Sequence, residues 1–254
     1  MPISSIKRSF WMLIWAVLLL FPLTIAAVWG PEAATVSQSL RQGYSVFLTF
    51  DDGPSVNTEK VLDILRREQV PATFFVIGAA TEQGMALYNR ILEEGHSLGL
   101  HTYTHDVNRI YRSMNGYKED FEKIADWVLE TTGSSPKICR MVGGSCTYHC
   151  PAILREEILT YLVEQGYACY DWDIDGRDSG RYAVPPRLLA DHVIEAARKK
   201  PGQDLIVLLH DDAQRVTLPA ALPGIIAYFR AQGYHFDALR EDTESVKRIM
   251  PKSR

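Results

Sequence analysis

The sequence lacks an excess of positive charge. Its 254 residues include 27 Lys and Arg against 31 Asp and Glu, which gives a formal charge of −4 at pH 7. A surface with this balance does not attract a phosphate backbone, so we predict no nucleic-acid partner. The sequence also lacks internal repeats and low-complexity segments. A repeat architecture and a compositionally disordered chain are therefore both disfavoured.

Charge is also missing from a stretch near the start of the chain. Residues 10–28 contain no charged side chain, and Lys7 and Arg8 precede them. A buried core helix is one interpretation of such a run. Its length of 19 residues and its position behind two positive charges favour a signal peptide or a membrane anchor over residues 1–30. We interpret residues 31–43 as a linker.

Two fates of this segment stay open. Trp11 and Trp29 bracket the apolar run as interfacial aromatic residues do in a spanning helix. Small residues between 27 and 34 instead fit a cleavage site. Under either fate, the rest of the chain is expected outside the cytoplasm, anchored in the membrane at the cell surface or secreted. The sequence indicates no oligomeric state.

From residue 44 onward, strand-like and helical stretches alternate. Such alternation predicts parallel βα units. Seven strands in one series favour a single distorted (β/α)7-type barrel, with a doubly wound sheet as the alternative. We predict strands at 46–50, 72–77, 97–100, 137–140, 168–171, 205–209 and 234–236. We predict helices at 58–69, 81–94, 116–132, 151–165, 186–199 and 220–232. The charged tail, residues 241–254, is predicted as a short surface helix.

Two adjacent carboxylates end the first predicted strand. Asp51 and Asp52 follow the apolar residues 46–50, and a Gly-Pro pair comes next. An Asp-Gly-Pro turn that caps the following helix is the ordinary explanation. Active sites of α/β folds collect at the carboxyl ends of strands, however, and neighbouring carboxylates persist where a cation or hydrogen bonds compensate them. The pair is therefore a candidate site.

A second polar pair consists of His101 and His105. If the backbone there is helical, two imidazoles four residues apart lie on one face. With one Asp they would form a three-ligand metal site that keeps open positions, as catalytic zinc sites do. The zincin pattern has a Glu next to the first His, but here Thr, Tyr and Thr lie between the two. A catalytic base must then come from elsewhere, and Asp51 is available.

Further candidates follow later predicted strands. Arg140 could hold a neighbouring carboxylate as an anion, and Gly143 and Gly144 would let backbone N–H groups approach a substrate. His210 comes directly after an apolar run, where a structural role is the more common one. A carboxylate partner such as Asp171 would raise the pKa of His210 toward that of a working general acid.

Taken in order, these segments resemble the five motifs of polysaccharide deacetylases, the NodB-homology domain of carbohydrate esterase family 4. The matching segments are Thr-Phe-Asp-Asp-Gly-Pro at 49–54, His-Thr-Tyr-Thr-His at 101–105, Arg-x-x-Gly-Gly at 140–144, Asp-Trp at 171–172 and Leu-x-His at 208–210. The resemblance implies a catalytic domain over residues 44–240 with a distorted (β/α) barrel. It also implies hydrolytic removal of acetyl groups from an acetylated glycan polymer.

The resemblance also implies a role for each matching residue. The implied ligands of a divalent metal, Zn²⁺ first and Co²⁺, Ni²⁺ or Mn²⁺ as alternatives, are Asp52, His101 and His105. The implied catalytic residues are Asp51 as base, Arg140 holding that base, His210 as acid and Asp171 orienting the acid. The implied substrate-contacting residues are Gly143 as an oxyanion donor, with Trp172 and Leu208 lining the acetyl pocket.

One position departs from the family pattern. The third motif usually carries Pro two residues after its Arg, and this chain has Val142 there. Because Pro stiffens a loop, its loss makes the placement of Gly143 less constrained. Disulfides form outside the cytoplasm, where this part of the chain is expected. A disulfide between Cys146 and Cys150 would close a small loop and restore the lost stiffness.

Three functions stay open. The resemblance and the expected location favour N-deacetylation of a GlcNAc-containing polymer, peptidoglycan first. An O-acetyl esterase acting on xylan or another polysaccharide is an alternative within the same family. A glycan-binding pseudoenzyme would keep the fold and lose the chemistry.

Overall fold

The structure is a computed structural model, and it describes residues 43–254 except 80, 181, 245, 247, 248 and 252–254. The predicted signal or anchor over residues 1–30 lies outside the described residues, as does the linker apart from its last residue. Within the described part of the chain, no helix combines the length and the apolar character needed to cross a membrane.

In the part of the chain that the structure describes, eight parallel strands form one sheet, which confirms the predicted α/β class. The strands are β1 (Ser45–Asp51), β2 (Thr73–Ile77), β3 (Ser97–Thr102), β4 (Ile138–Cys139), β5 (Ala168–Cys169), β6 (Ile174–Asp175), β7 (Leu205–His210) and β8 (His235–Asp237). Their order is β5-β4-β3-β2-β1-β7-β6, and β8 pairs with the first residues of β1.

The sheet is an open half-barrel, and it has one strand more than the seven predicted. The additional strand is β6, which is two residues long. Only residues 170–173 separate β5 from β6. Parallel neighbours need a crossover of about a dozen residues, so these two strands cannot pair with each other. They form the two ends of the sheet instead.

Within the described ranges, seven helices connect the strands. They are α1 (Val56–Glu68), α2 (Glu82–Glu93), α3 (Val107–Ile110), α4 (Met114–Thr132), α5 (Ala152–Glu164), α6 (Pro186–Arg198) and α7 (Leu218–Ala231). Six of them match the predicted helices to within two residues at each end, and α3 is the short addition. Helix α1 begins at a capping box, in which Ser55 accepts from the helix backbone and Thr58 accepts from the N–H of Ser55.

Strand β1 separates two layers of apolar side chains. Val46, Leu48 and Phe50 pack in the large core between the sheet and the helices. The alternate residue Phe47 packs in a smaller cluster with Phe75, Ile138, Tyr170 and Ile206. Because side chains alternate along a strand, Thr49 and Asp51 share the face of Phe47. The smaller cluster therefore underlies the carboxyl end of β1.

The C-terminal tail is part of the fold, and the prediction of a surface helix there is wrong. Leu239 and Val246 are buried in the same cluster as Phe47. The N–H of Ile249 donates to the carbonyl of Cys169 over 2.8 Å in an antiparallel bridge. The tail thus pairs with the edge of β5 that no neighbouring strand covers.

Candidate active site

The predicted site residues gather at the carboxyl ends of the central strands. Asp51 is the last residue of β1 and His210 the last of β7, and the two lie opposite each other in the sheet register. His101 lies in β3, two strands away on the other side of β1. The parallel sheet therefore brings three motifs to one edge that are far apart in the sequence.

Asp52, His101 and His105 converge as a candidate metal centre. Each offers one ligand atom, and these atoms lie within 4.8 Å of one another. Oδ1 of Asp52 is 3.1 Å from Nε2 of His105 and 3.5 Å from Nε2 of His101. The same Oδ1 is buried and makes no hydrogen bond. A buried carboxylate oxygen without a donor, facing two imidazole nitrogens, fits a bound cation.

The protonation states of His101 and Asp52 also suit a metal. Nδ1 of His101 lies 2.7 Å from the carbonyl of Arg140, and since a carbonyl only accepts, Nδ1 carries the proton and Nε2 has a free lone pair. Burial lowers the pKa of His101, which keeps its imidazole neutral. Burial favours the neutral form of Asp52, but the two imidazoles outweigh it and hold the pKa of Asp52 well below its usual range.

The backbone between the two His ligands is not helical. His101 is a residue of β3, the chain bends after the strand, and His105 follows the bend. Buried Asp120 on α4 holds the bend, because its carboxylate accepts from the N–H groups of Tyr103 (2.6 Å) and Thr104 (3.0 Å) and from the Thr104 hydroxyl (2.6 Å). No motif in the sequence points to Asp120, because it lies 15 residues beyond His105.

Asp52 sits in a turn that another carboxylate supports. Asp52 has φ +74°, a left-handed backbone that a non-glycine residue adopts at a cost. A Cβ on Gly53 would lie 2.5 Å from a carboxylate oxygen of Asp211. Asp211 is fully buried, accepts from Thr58 Oγ1 over 2.5 Å and donates its N–H to the carbonyl of Asp51. Burial raises the pKa of Asp211 to about 7.

Arg140 fixes the orientation of Asp51. Its guanidinium is fully buried and donates through Nη1 to Oδ1 of Asp51 and to the Thr49 hydroxyl, both over 2.8 Å. Nε donates to the carbonyl of Tyr170 over 3.0 Å and Nη2 to the carbonyl of Asp171 over 3.1 Å. With all three donor nitrogens occupied, Arg140 holds the Asp51 carboxylate in one position beside the candidate metal centre.

The partner of His210 is Asp178, which corrects the assignment of Asp171 to that role. Nδ1 of His210 lies 2.8 Å from Oδ1 of Asp178, and the His210 N–H donates to Oδ2 over 3.0 Å. Burial acts to lower the pKa of His210, but Asp178 outweighs it and raises this pKa to about 9. Asp171 follows β5 at one end of the sheet, whereas Asp178 follows β6, which pairs with β7.

Asp171 instead fixes the loop that carries Gly143. Its carboxylate accepts from the N–H of Ser145 over 2.9 Å and from the Ser145 hydroxyl over 2.5 Å. The carbonyl of Val142 accepts from the Tyr111 hydroxyl over 2.8 Å. These hydrogen bonds hold the loop at both ends although Val142 replaces the motif Pro.

The disulfide considered between Cys146 and Cys150 is not formed. The structure describes all four cysteines, and each is a free thiol: Cys139, Cys146, Cys150 and Cys169. Cys146 is exposed and Cys150 is buried. Arg155 anchors the segment between them, because it donates to the carbonyls of Thr147 and Cys150. Hydrogen bonding thus holds this loop without a covalent bridge.

Three residues predicted to contact substrate border the same region. Gly143 and Gly144 have φ of +71° and +78°, and a Cβ on Gly144 would lie 2.9 Å from the ring of Trp172. Leu208 is buried and lies beside Thr49 in the register of β1 and β7. Neighbours in a sheet share a face, so Leu208 lies on the face that carries Asp51.

The fold and the site define a class: an α/β half-barrel with a candidate metal centre and an Asp/His pair at its strand ends. A family model described as polysaccharide deacetylase matches residues 41–162. The chain is 35% identical over 205 residues to a peptidoglycan-N-acetylglucosamine deacetylase of Bacillus cereus, covering 78% of this chain and 70% of that protein. This protein belongs to the polysaccharide deacetylase family, the NodB-homology domain of carbohydrate esterase family 4.

Other relatives agree with this assignment. A chitooligosaccharide deacetylase of Sinorhizobium fredii is 35% identical over 200 residues, which are 78% of this chain and 84% of that one. The catalytic domain of a peptidoglycan N-acetylglucosamine deacetylase from Eubacterium rectale superposes with a TM-score of 0.74 at 26% identity, covering 84% of this chain and 94% of that domain.

Proposed function

We propose that this protein is a metal-dependent N-deacetylase that releases acetate from a GlcNAc-containing cell-wall polysaccharide, with peptidoglycan as its substrate. The observation that carries the proposal is the convergence of Asp52, His101 and His105 next to the Arg140–Asp51 pair. Zinc is the cation we propose, because two imidazole nitrogens and one carboxylate oxygen with open positions are typical of catalytic zinc sites.

In this mechanism, the base is Asp51. Asp52, His101 and His105 would hold a divalent cation, which would supply a Lewis acid for the amide carbonyl and for water. Asp51 accepts the proton of the attacking water, and Arg140 keeps its carboxylate in position. The N–H of Gly143 stabilises the oxyanion that develops, a contribution typically worth about 3–4 kcal/mol for one donor.

The acid is His210. Its raised pKa keeps the imidazole protonated at neutral pH, so it can donate to the departing amine. Asp178 holds Nδ1, which leaves Nε2 to deliver the proton. The products are acetate and a free amino sugar. Trp172 and Leu208 supply apolar surface near the acetyl group.

The relatives of the chain support this choice of substrate. They include deacetylases of peptidoglycan and of chitooligosaccharides, which share N-acetylglucosamine. The apolar segment at residues 10–28 supports a working place outside the cytoplasm, where a cell-wall polymer is accessible.

Acetate release by the full-length protein tests the proposal. Peptidoglycan, chitooligosaccharides and acetylated xylan are incubated in parallel with Zn²⁺, alongside an Asp51→Asn variant and a chelated sample. We expect acetate from the two N-acetylated substrates and a loss of release in both controls. Release from xylan alone would assign the O-acetyl esterase. No release from any substrate, with metal bound, would favour the glycan-binding pseudoenzyme.

A further inference from the structure

A concave pocket lies along the chain segment that follows His105. It has a volume of about 360 Å³ and is lined by α3, the start of α4 and the residues joining them. Asp106, the first lining residue, directly follows His105 in the chain. A Cβ on Gly116 would lie 2.8 Å from the carbonyl of Arg109, so α3 and α4 pack closely at this point. The pocket is therefore formed by the same turn that carries a metal ligand.

The pocket presents charges of both signs. We call it the mixed-charge pocket and define it by Asp106, Arg109, Arg112 and Glu119, all of which are exposed. Oδ1 of Asp106 caps α3 by accepting from the N–H of Asn108. Among the described residues, no ion pair within 4.0 Å joins any of these four side chains to another. Two guanidiniums, the carboxylate of Glu119 and the second carboxylate oxygen of Asp106 are thus available to a ligand.

We propose that the mixed-charge pocket binds the peptide stem of a peptidoglycan strand while the sugar chain lies across the Asp51 site. A peptide stem carries a carboxylate and an amino group, whereas a chitin chain carries neither. Arg109 and Arg112 match the carboxylate, since guanidinium binds carboxylates through paired hydrogen bonds. Asp106 and Glu119 match the amino group. This inference rests on the proposed deacetylase function and narrows its substrate to peptide-bearing glycans.

A double variant tests the carboxylate contact. The full-length Arg109→Gln/Arg112→Gln protein and the wild type are loaded with the same cation. Acetate release is followed on peptide-bearing GlcNAc-containing glycan fragments, on the same fragments after an amidase has removed the stems, and on chitotetraose. We expect KM for the peptide-bearing fragments to rise about five- to tenfold with kcat nearly unchanged. We expect kcat/KM on the other two substrates to stay within about twofold.

A single-site variant controls for the loss of a positive charge at an exposed Arg elsewhere on the surface. Arg187→Gln removes an Arg on α6 whose side chain is 95% exposed and 3.9 Å from Asp191. It should leave all three substrates unaffected. An unchanged KM of the double variant for peptide-bearing fragments would overturn the inference. Equal losses on all three substrates would overturn it too, because they would indicate a general defect of the site.

The amino-group contact is tested separately. Glu119→Gln should raise KM for fragments whose stems have a free amino group and leave KM unchanged once that group has been acetylated. If Glu119→Gln changes KM equally for stems with a free and with an acetylated amino group, Glu119 does not bind the amino group.

If the wild type releases no acetate from any of the three substrates, the proposed deacetylase function is wrong. Calorimetry then measures whether the free stem peptide binds to the mixed-charge pocket, independently of any catalysis. Binding to the wild type that the double variant loses would support the pocket as a peptide site, and absence of binding to the wild type would overturn it.

Discussion

At the scale of single residues, His210 depends on one buried neighbour. Asp178 raises the pKa of His210 to about 9, against an ordinary value of 6.5. A general acid works only while protonated, so activity falls as the pH rises through its pKa. Asp178→Asn should therefore lower this pKa and move the alkaline limb of kcat/KM to lower pH by about one to two units. A pH–rate profile at constant metal loading measures the shift.

Asp171→Asn is the matched control for this experiment. It should reduce activity because the carboxylate fixes Ser145, but the alkaline limb should stay in place. If the alkaline limb of kcat/KM shifted in Asp171→Asn but not in Asp178→Asn, the pairing of His210 with Asp178 would be contradicted.

The buried Arg140 side chain should contribute to both stability and activity. Arg140→Met keeps the approximate volume but leaves the Asp51 carboxylate buried without its cation. Breaking a buried pair from one side costs about 3–5 kcal/mol. Urea unfolding should show a loss of this size, and acetate release should fall with it. The double variant Asp51→Asn/Arg140→Met removes both charges and should recover much of the lost stability. An Arg140→Met protein as stable as the wild type would contradict this prediction.

Asp171 and Asp178 illustrate which site residues can be predicted from the sequence and which cannot. The motif residues Asp51, Asp52 and His210 were identified because each follows a recognisable strand. Asp178 follows a strand of two residues, which has no periodicity to detect. Its role depends on β6 pairing with β7, a long-range contact that leaves no local signal in the sequence.

At the scale of elements, the loop that carries Gly143 and Gly144 depends on close approach. Gly144→Ala places a residue at φ +78°, a conformation that costs about 1–2 kcal/mol outside glycine. It also brings a Cβ to 2.9 Å from Trp172. We expect a lower unfolding temperature and at least tenfold less acetate release, because the loop must move away from the site.

Gly133→Ala separates these two effects. Gly133 has φ +70° at the end of α4, with no atom within 4 Å of an added Cβ. Gly133→Ala should lose stability only through the unfavourable backbone conformation, and it should keep full activity. Equal losses of stability and activity in the two variants would show that contact with Trp172 is unimportant.

The elements themselves were largely predictable, and the exceptions have physical causes. Long amphipathic helices and the apolar strands β1 and β7 carry strong periodic signals. The bend between His101 and His105 does not, because Asp120 on a distant helix stabilises it. The charged tail resembled a surface helix, yet the exposed edge of β5 and a few apolar residues such as Val246 determine its path.

At the scale of the whole molecule, the open half-barrel places its polar residues at one edge of the sheet. The ligand trio joins β1 to β3, and the Arg140–Asp51 pair joins the chain after β4 to β1. Polar groups that are unfavourable when buried in isolation compensate one another across the sheet. Oδ1 of Asp52 is left without a donor, and a bound cation would compensate it.

A divalent cation should therefore stabilise the entire fold. A ligand that binds only the native state stabilises it by about 2.7 kcal/mol at 100 times its dissociation constant, which for a domain of this size corresponds to a rise of about 5–10 °C in Tm. Adding Zn²⁺ to chelated full-length protein should produce such a rise. Asp52→Asn should abolish it, whereas His149→Gln, at an exposed imidazole outside the trio, should retain it. A shift that persists in Asp52→Asn would place the stabilising cation elsewhere, since that variant lacks the carboxylate that draws the cation between the two imidazoles.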